Sequence, residues 1–260
     1  RATRRRAGRR ACRVAARVPG LRQDWVAGAL ETDCADIDVA GLHQHYLARA
    51  RAAGVELWTR ARLASARRDG GRWELTLEDG RSVSCRVLAN AAGAWADVVA
   101  QMAGACALGI QPKRRTIAVL RVNPPPPADL PLVMDFGGGF YFRPDGDRLW
   151  LSPHDETDSP PCDAAPEELD VAIAIDRFEQ VADWRIERVE HRWAGLRSFA
   201  PDRVLVIGYD AAVEGLFWCA GQGGFGIQTA PAASRLAAQL LLREDVDWID
   251  PAPYGPGRFG

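Results

Sequence analysis

The stretch that most restricts this chain runs from Leu216 to Pro231, Leu-Phe-Trp-Cys-Ala-Gly-Gln-Gly-Gly-Phe-Gly-Ile-Gln-Thr-Ala-Pro. Leu216 to Ala220 is a short apolar run with the composition of a strand. Gly221, Gly223, Gly224 and Gly226 then let the backbone take positive φ and come close to a ligand. From Ile227 the apolar residues recur at helical spacing, through Ala230, Leu236, Ala237, Leu240 and Leu241. Strand, glycine turn and helix together aim helix-start N–H groups and a partial positive charge at an electron-rich ligand. A tight strand-to-helix turn with no ligand is the plainer reading. Four glycines in six residues, interleaved with Gln222 and Phe225, favour the ligand turn. The spacing Gly221-x-Gly-x-x-Gly226 matches the dinucleotide fingerprint. That fingerprint opens a βαβ unit and leads to an acidic residue on a second strand, and here only one helix and the tail Asp245–Gly260 follow. It is therefore not read as a pyrophosphate loop.

The rest of the chain supplies further strand–helix pieces. Arg1 to Arg22 holds nine Arg and no acid. It reads either as a basic amphipathic arm or, preferred here, as a poorly ordered leader over residues 1–22. Asp38 is an N-cap candidate for a helix with Leu42, Tyr46, Leu47 and Ala50 on one face. His43 and His45 on it point to different faces, which argues against a shared metal. Gly54 closes this helix, and Val55-Glu-Leu-Trp58 reads as a strand. Trp73–Leu77 and Ser82–Val87 alternate around the turn Glu78-Asp-Gly80, a hairpin. Val87-Leu-Ala-Asn-Ala-Ala-Gly93 reads as a strand ending in small residues, followed by a helix from about Trp95 to Ala103. Such a strand end admits a flat ligand, or equally close helix–strand packing.

Pro112–Val122 is a strand opening on three cations, and five prolines between Asn123 and Pro131 exclude regular structure there. Phe140–Arg143 and Leu149–Leu151 form a second hairpin around Pro144-Asp-Gly146. Glu167–Val181 is an amphipathic helix, and Arg188–Leu196 a strand. An α+β insert with antiparallel strands thus separates two glycine-bearing strand–helix pieces. The fold class expected is α/β plus α+β, with a leader at 1–22, one domain over 23–110 and 194–260, and an inserted domain over 111–193.

Composition narrows the partners. An apolar content of 47% with nine Trp supports a real core, and a net charge of −1 argues against a nucleic-acid partner. Six scattered Cys without a CxxC pair and only four His argue against a disulfide framework and against a metal site, and fit a reducing compartment. No apolar run reaches the length of a membrane span. A cytoplasmic protein without an integral membrane segment is expected.

Four motifs then combine. Asn90-Ala-Ala-Gly-Ala-Trp95, Pro112-Lys-Arg-Arg115, Gly195-Leu-Arg-Ser-Phe199 and Gly221-Gln-Gly-Gly-Phe-Gly-Ile-Gln-Thr229 together resemble the FAD-dependent D-amino-acid oxidase superfamily. Trp193–Phe199 and the glycine turn are most similar to the bacterial D-arginine dehydrogenases. The resemblance covers about Asp24 to Arg243. The family opens with a βαβ unit carrying GxGxxG. No such unit precedes Leu42, so a Rossmann-like FAD-binding domain lacking its first βαβ unit is expected, with an inserted antiparallel-sheet substrate domain.

The resemblance implies roles. Leu63, on the strand after Trp58, would meet the adenosine part of FAD through its backbone, and Ala91, Ala92, Gly93 and Trp95 would line the cofactor. Gly221, Gln222, Gly223, Gly224, Phe225, Gly226, Ile227 and Gln228 would bring N–H groups to the flavin. Arg197 would take the substrate carboxylate with its planar fork. Arg114 would be a second cation and Tyr141 a hydroxyl donor to the same group, with Gly224 and Gln228 placing the amine. The activity implied is oxidation of the CH–NH2 group of D-amino acids, D-arginine or other cationic ones among them. Hydride passes to flavin N5, and the imino acid then hydrolyses to a 2-oxo acid and ammonia. The electron acceptor, oxygen or a quinone, carries no motif. Sarcosine- or glycine-oxidase-like amine oxidation is the alternative within enzymes, and a non-catalytic truncated remnant the alternative outside them.

Overall fold

A computed structural model describes residues 10–12, 14–25 and 27–259. In chain order its elements are β1 (Arg10–Cys12), β2 (Gly28–Leu30), α1 (Val39–Ala52), β3 (Leu63–Asp69), β4 (Arg72–Leu77), β5 (Ser82–Cys85) and β6 (Leu88–Asn90). Then come α2 (Ala96–Met102), β7 (Gln111–Asn123), β8 (Val133–Met134), β9 (Tyr141–Asp145), β10 (Arg148–Ser152), β11 (Thr157–Asp158) and α3 (Glu168–Val181). The last four are β12 (Arg185–Phe199), β13 (Val206–Tyr209), β14 (Leu216–Ala220) and α4 (Gly226–Leu242). The chain divides into two compact units, one of residues 1–36, 114–157 and 163–195, the other of 37–113, 158–162 and 196–260.

The first unit is built on a sheet ordered β11-β7-β10-β9-β8, with β12 also pairing β7. The period of two sends Phe142, Leu149, Leu151, Ala118 and Leu120 to one face, and all are buried. Helix α3 covers that face with Val171, Ala174, Phe178 and Val181, spaced for a single stripe. Each such side chain contributes about 1.5–3 kcal/mol of burial. Val18 and Trp184 complete this core. Residues 14–22 therefore correct the expectation of a poorly ordered leader. Val18 is buried, Leu21 bridges Ala182, and the Arg22 N–H donates to Val181 O at 2.8 Å. The apolar residues Val14, Val18 and Leu21 outweigh the arginines between them. Residues 1–9 of that leader lie outside the described residues.

The second unit holds two three-stranded sheets. In one, β3, β4 and β5 are antiparallel. In the other, β14 pairs antiparallel with β13 and parallel with β6. Helix α4 packs Ala233, Leu236, Ala237, Leu240 and Leu241 against Ile207 and Phe217 of that second sheet. Its end is fastened by Tyr209, whose hydroxyl donates to Leu241 O at 2.8 Å. One local expectation changes. Val55–Trp58 is not a strand, since Leu57 and Trp58 are exposed and no neighbouring strand pairs them among the described residues. The strand expected to carry Leu63 is β3; Gly70 and Gly71, both at positive φ, turn it back onto β4.

Candidate active site

The parallel pair β6 and β14 sets the geometry of the second unit. Trp218 lies opposite Asn90, so both strands end at the same edge of the sheet. Ala91-Ala-Gly93 leaves one strand beside Gly221-Gln-Gly-Gly224 leaving the other. Ligands of open sheets sit in such a crevice outside the carboxyl ends of the strands. Asn90 is 1% exposed and shapes its turn: Nδ2 donates to Ala96 O at 2.8 Å, and Oδ1 accepts the Ala92 N–H at 3.3 Å. Gly93 takes φ +56° in the turn, and Trp95 stands exposed at the start of α2.

The glycine turn is stitched to the end of β12. Gly221 and Gly223 adopt φ of +71° and +55°, the Gly223 N–H donates to Ser198 O at 2.8 Å, and Gln222 bridges Phe199. Helix α4 starts without a side-chain cap, so its N-cap residue Phe225 takes up none of its first N–H groups through a side chain. Phe225, Ile227 and Gln228 are exposed there. Burial pushes the Cys219 thiol up, and the Gln222 amide Nε2 donates to the Cys219 carbonyl at 3.1 Å. The two glycine-rich strand ends and the uncapped helix fit an electron-rich planar group.

Arg197 and Gly224 meet in this unit. A Cβ at Gly224 would stand 3.1 Å from Arg197 Nη1, so the guanidinium lies against bare glycine backbone. Arg197 is half-buried. Gln228 sits in the first turn of α4, two residues after Gly226. Leu63 opens β3, half-buried and paired with Leu77.

Arg114 and Tyr141 belong to the first unit. Arg114 faces α3, where its guanidinium pairs with Glu167 and, at 2.9 Å, with Asp170. Tyr141 lies between the edge of His154, 5.5 Å away, and the guanidinium of Arg115, 5.8 Å away. Alternation along β7 turns Arg114 and Arg115 to opposite faces, and it is Arg115 that shares the Tyr141 face. Sequence reasoning passed over Arg115. It is 3% exposed and held by Asp155, whose carbonyl accepts from Nε at 2.7 Å. The signal was available: in Lys113-Arg-Arg115 the period of two leaves only one arginine per face.

The family profile described as FAD dependent oxidoreductase matches residues 2–240. The chain belongs to this FAD-dependent oxidoreductase family. FAD-dependent oxidoreductase domain-containing protein 1 of Xenopus laevis is 29% identical over 197 residues, covering 70% of this chain and 40% of that protein. Glycine oxidase of Pseudomonas aeruginosa is 39% identical over 104 residues, 40% of this chain and 27% of that enzyme. The crystal structure of glycine oxidase from Geobacillus kaustophilus superposes with a TM-score of 0.79 at 21% identity, over 95% of this chain and 67% of that one. The chain thus spans about 40% of the length of the first of these relatives. The fold is the family's FAD-binding type, mixed α/β with antiparallel sheets, and the cofactor of the family is FAD. Among the described residues no helix is long and apolar enough to cross a membrane.

Proposed function

We propose that the protein oxidises the CH–N bond of a small amino acid, using Arg197 to hold the substrate carboxylate. The observation that carries this is the guanidinium of Arg197 against Gly224, at the head of an uncapped helix. A planar fork can hold a carboxylate with two parallel hydrogen bonds, a geometry that a lysine ammonium does not reproduce. Ala91, Ala92, Gly93 and Trp95, with the turn Gly221–Gln228, are the residues that would hold FAD. When bound, FAD supplies the acceptor for the hydride leaving Cα. The chain's own residues do the rest: Arg197 fixes the carboxylate, and Gly224 and Gln228 place the amine. Orientation of this kind supplies much of the rate. The product imine hydrolyses to a 2-oxo acid and ammonia.

D-Amino acids are the substrate class that the motif likeness to D-arginine dehydrogenases implies. Oxidation of glycine or an N-alkylglycine is the second reading, favoured by the 39% identity to a glycine oxidase. The test is to load the purified protein with FAD and mix it anaerobically with D-amino acids, L-amino acids, glycine and sarcosine. Loss of the oxidised-flavin colour with one of these classes supports the proposal and chooses between the readings. A loaded protein that no amino acid reduces refutes it, and a protein that retains no flavin is the remnant without catalysis.

A further inference from the structure

Within the second unit the glycine turn rests on one short segment, residues 199–204, which the proposed function leaves unused. A Cβ at Gly221 would stand 3.4 Å from Ala200 Cβ and 3.5 Å from Val204 O, and one at Gly223 would stand 2.6 Å from Phe199 Cε1. The bare backbone of the turn is thus in direct contact with this segment. The other strand end reaches the same segment through α2. Asp97 of that helix accepts the N–H groups of Leu108, Gly109 and Ile110, and a Cβ at Gly109 would stand 3.2 Å from Pro201 Cγ. Ala200 packs in one core with Ala96 and Ala100 of α2 and with Trp218 and Ala220 of β14.

Phe199 is buried, and the exposed Arg203 lays its guanidinium over the ring, 4.1 Å from the centroid. The Arg203 N–H donates to Ala200 O at 2.8 Å, which closes a turn and brings the side chain back over the phenyl group. Arg203 takes φ +62°, a left-handed conformation that a residue with a Cβ adopts only under strain. Glycine adopts it freely, so the backbone gains nothing from arginine at this position. What arginine adds is the cation over the ring, and strained residues of this kind gather at functional sites. The far end of the segment is fastened as well. Asp202 accepts the Val204 N–H at 3.0 Å and Arg258 Nε at 2.7 Å, and Arg258 Nη2 donates to Val204 O at 2.9 Å.

We infer that Phe199 and Arg203 are positioning residues for the cofactor: the stacked pair fixes the glycine turn, and through the turn it sets the affinity and the reduction potential of the flavin. The inference rests on the reading in which Gly221–Gln228 holds FAD. The dipole of a helix start acts only within the first turn, so a small displacement of Gly223 changes how strongly the uncapped start of α4 meets charge on a reduced flavin. A smaller side chain at Phe199 removes both the contact with Gly223 and the seat of the cation. Loss of Arg203 removes the seat's cover while leaving the ring in the core.

The experiment titrates FAD by the quenching of its fluorescence and measures the midpoint potential of the bound flavin, with no amino acid present. Urea unfolding of the flavin-free protein is followed in parallel. Arg203→Gly removes the cation and relaxes the left-handed residue, so its unfolding midpoint should hold or rise. Its FAD affinity should nonetheless fall about two- to fivefold, the range of an exposed cation–π contact, and its flavin potential should move downward. Arg203→Lys, which keeps a cation for the ring, should recover part of both. Phe199→Leu should lose more affinity than Arg203→Gly. Affinity and potential unmoved in Arg203→Gly, or falling only in step with the unfolding midpoint, overturn the inference. A loaded protein that no amino acid reduces refutes the proposed function and leaves this inference standing, whereas a parent that binds no FAD overturns both.

Discussion

Replacing Gly224 by Ala separates a ligand role of the glycine turn from a purely structural one. The new Cβ would stand 3.1 Å from Arg197 Nη1, too close by a few tenths of an ångström. Gly224 does not occupy the left-handed region, so the backbone accepts alanine without strain, and the group that must yield is the tip of a flexible side chain. Fold stability should thus change by less than about 1 kcal/mol. Displacing the guanidinium should weaken carboxylate binding by about 1.5–3 kcal/mol, ten- to a hundredfold. The control is Gly223→Ala. There φ is +55°, and the Cβ falls 2.6 Å from Phe199 Cε1, in a ring that is 4% exposed and has nowhere to go. Left-handed strain adds about 1–2 kcal/mol and overpacking about 1–3 kcal/mol, all of it on the fold. The assay pairs urea unfolding with calorimetric titration of an amino acid. Gly224→Ala should leave the unfolding midpoint in place and lose affinity, while Gly223→Ala should unfold early. Unchanged affinity in Gly224→Ala, or equal destabilisation of the two variants, refutes the reasoning.

Two further outcomes follow from the titrating groups. Arg188 first, then Arg121 and Arg148, hold Glu190 down at about 2 against its ordinary 4.5. A depressed carboxylate stabilises the fold above its unfolded value and loses that contribution as pH falls from about 4.5 towards 2. Urea midpoints should therefore drop over that window, and drop less in Glu190→Gln; equal slopes for the two proteins would contradict the assignment. Burial pushes the thiols of Cys85 and Cys219 up, whereas Cys34 and Cys106 are exposed. Mass spectrometry after brief alkylation at neutral pH should find Cys34 and Cys106 modified well before Cys85 and Cys219, and early modification of Cys219 would mean that the turn above it is open.

Periodicity made much of the fold legible. Helices α3 and α4 follow from single apolar stripes, and both expected hairpins follow from alternation about Asp-Gly turns. What escaped was decided by neighbours. The extent of strand β3, Leu-Ala-Ser-Ala-Arg-Arg-Asp, was one such case: beyond Leu63 it has little strand character of its own, and Gly70-Gly71 folds it onto β4. Val55–Trp58 has the better strand composition and no partner to pair with among the described residues. Val18 is core because Trp184 and α3 lie over it, contacts that an arginine-rich leader does not advertise. In the candidate site the glycine turn was readable because positive φ leaves a compositional mark. Alternation along β7 already puts Arg114 and Arg115 on opposite faces; which of those faces carries Tyr141 was not readable, since it depends on where α3 packs.

Arg197 is the residue on which the proposed carboxylate binding depends. Arg197→Lys keeps the charge and removes the planar fork, so the substrate should tilt and its Cα should shift from the position that hydride transfer needs. The measurement is the steady-state kinetics of the FAD-loaded Arg197→Lys protein over a series of amino acids, with flavin content determined on the same sample. KM should rise about ten- to a hundredfold for every substrate, kcat should fall with it, and flavin content should match the parent's. Kinetics near the parent's would make Arg197 a structural cation and contradict its assignment to the substrate carboxylate.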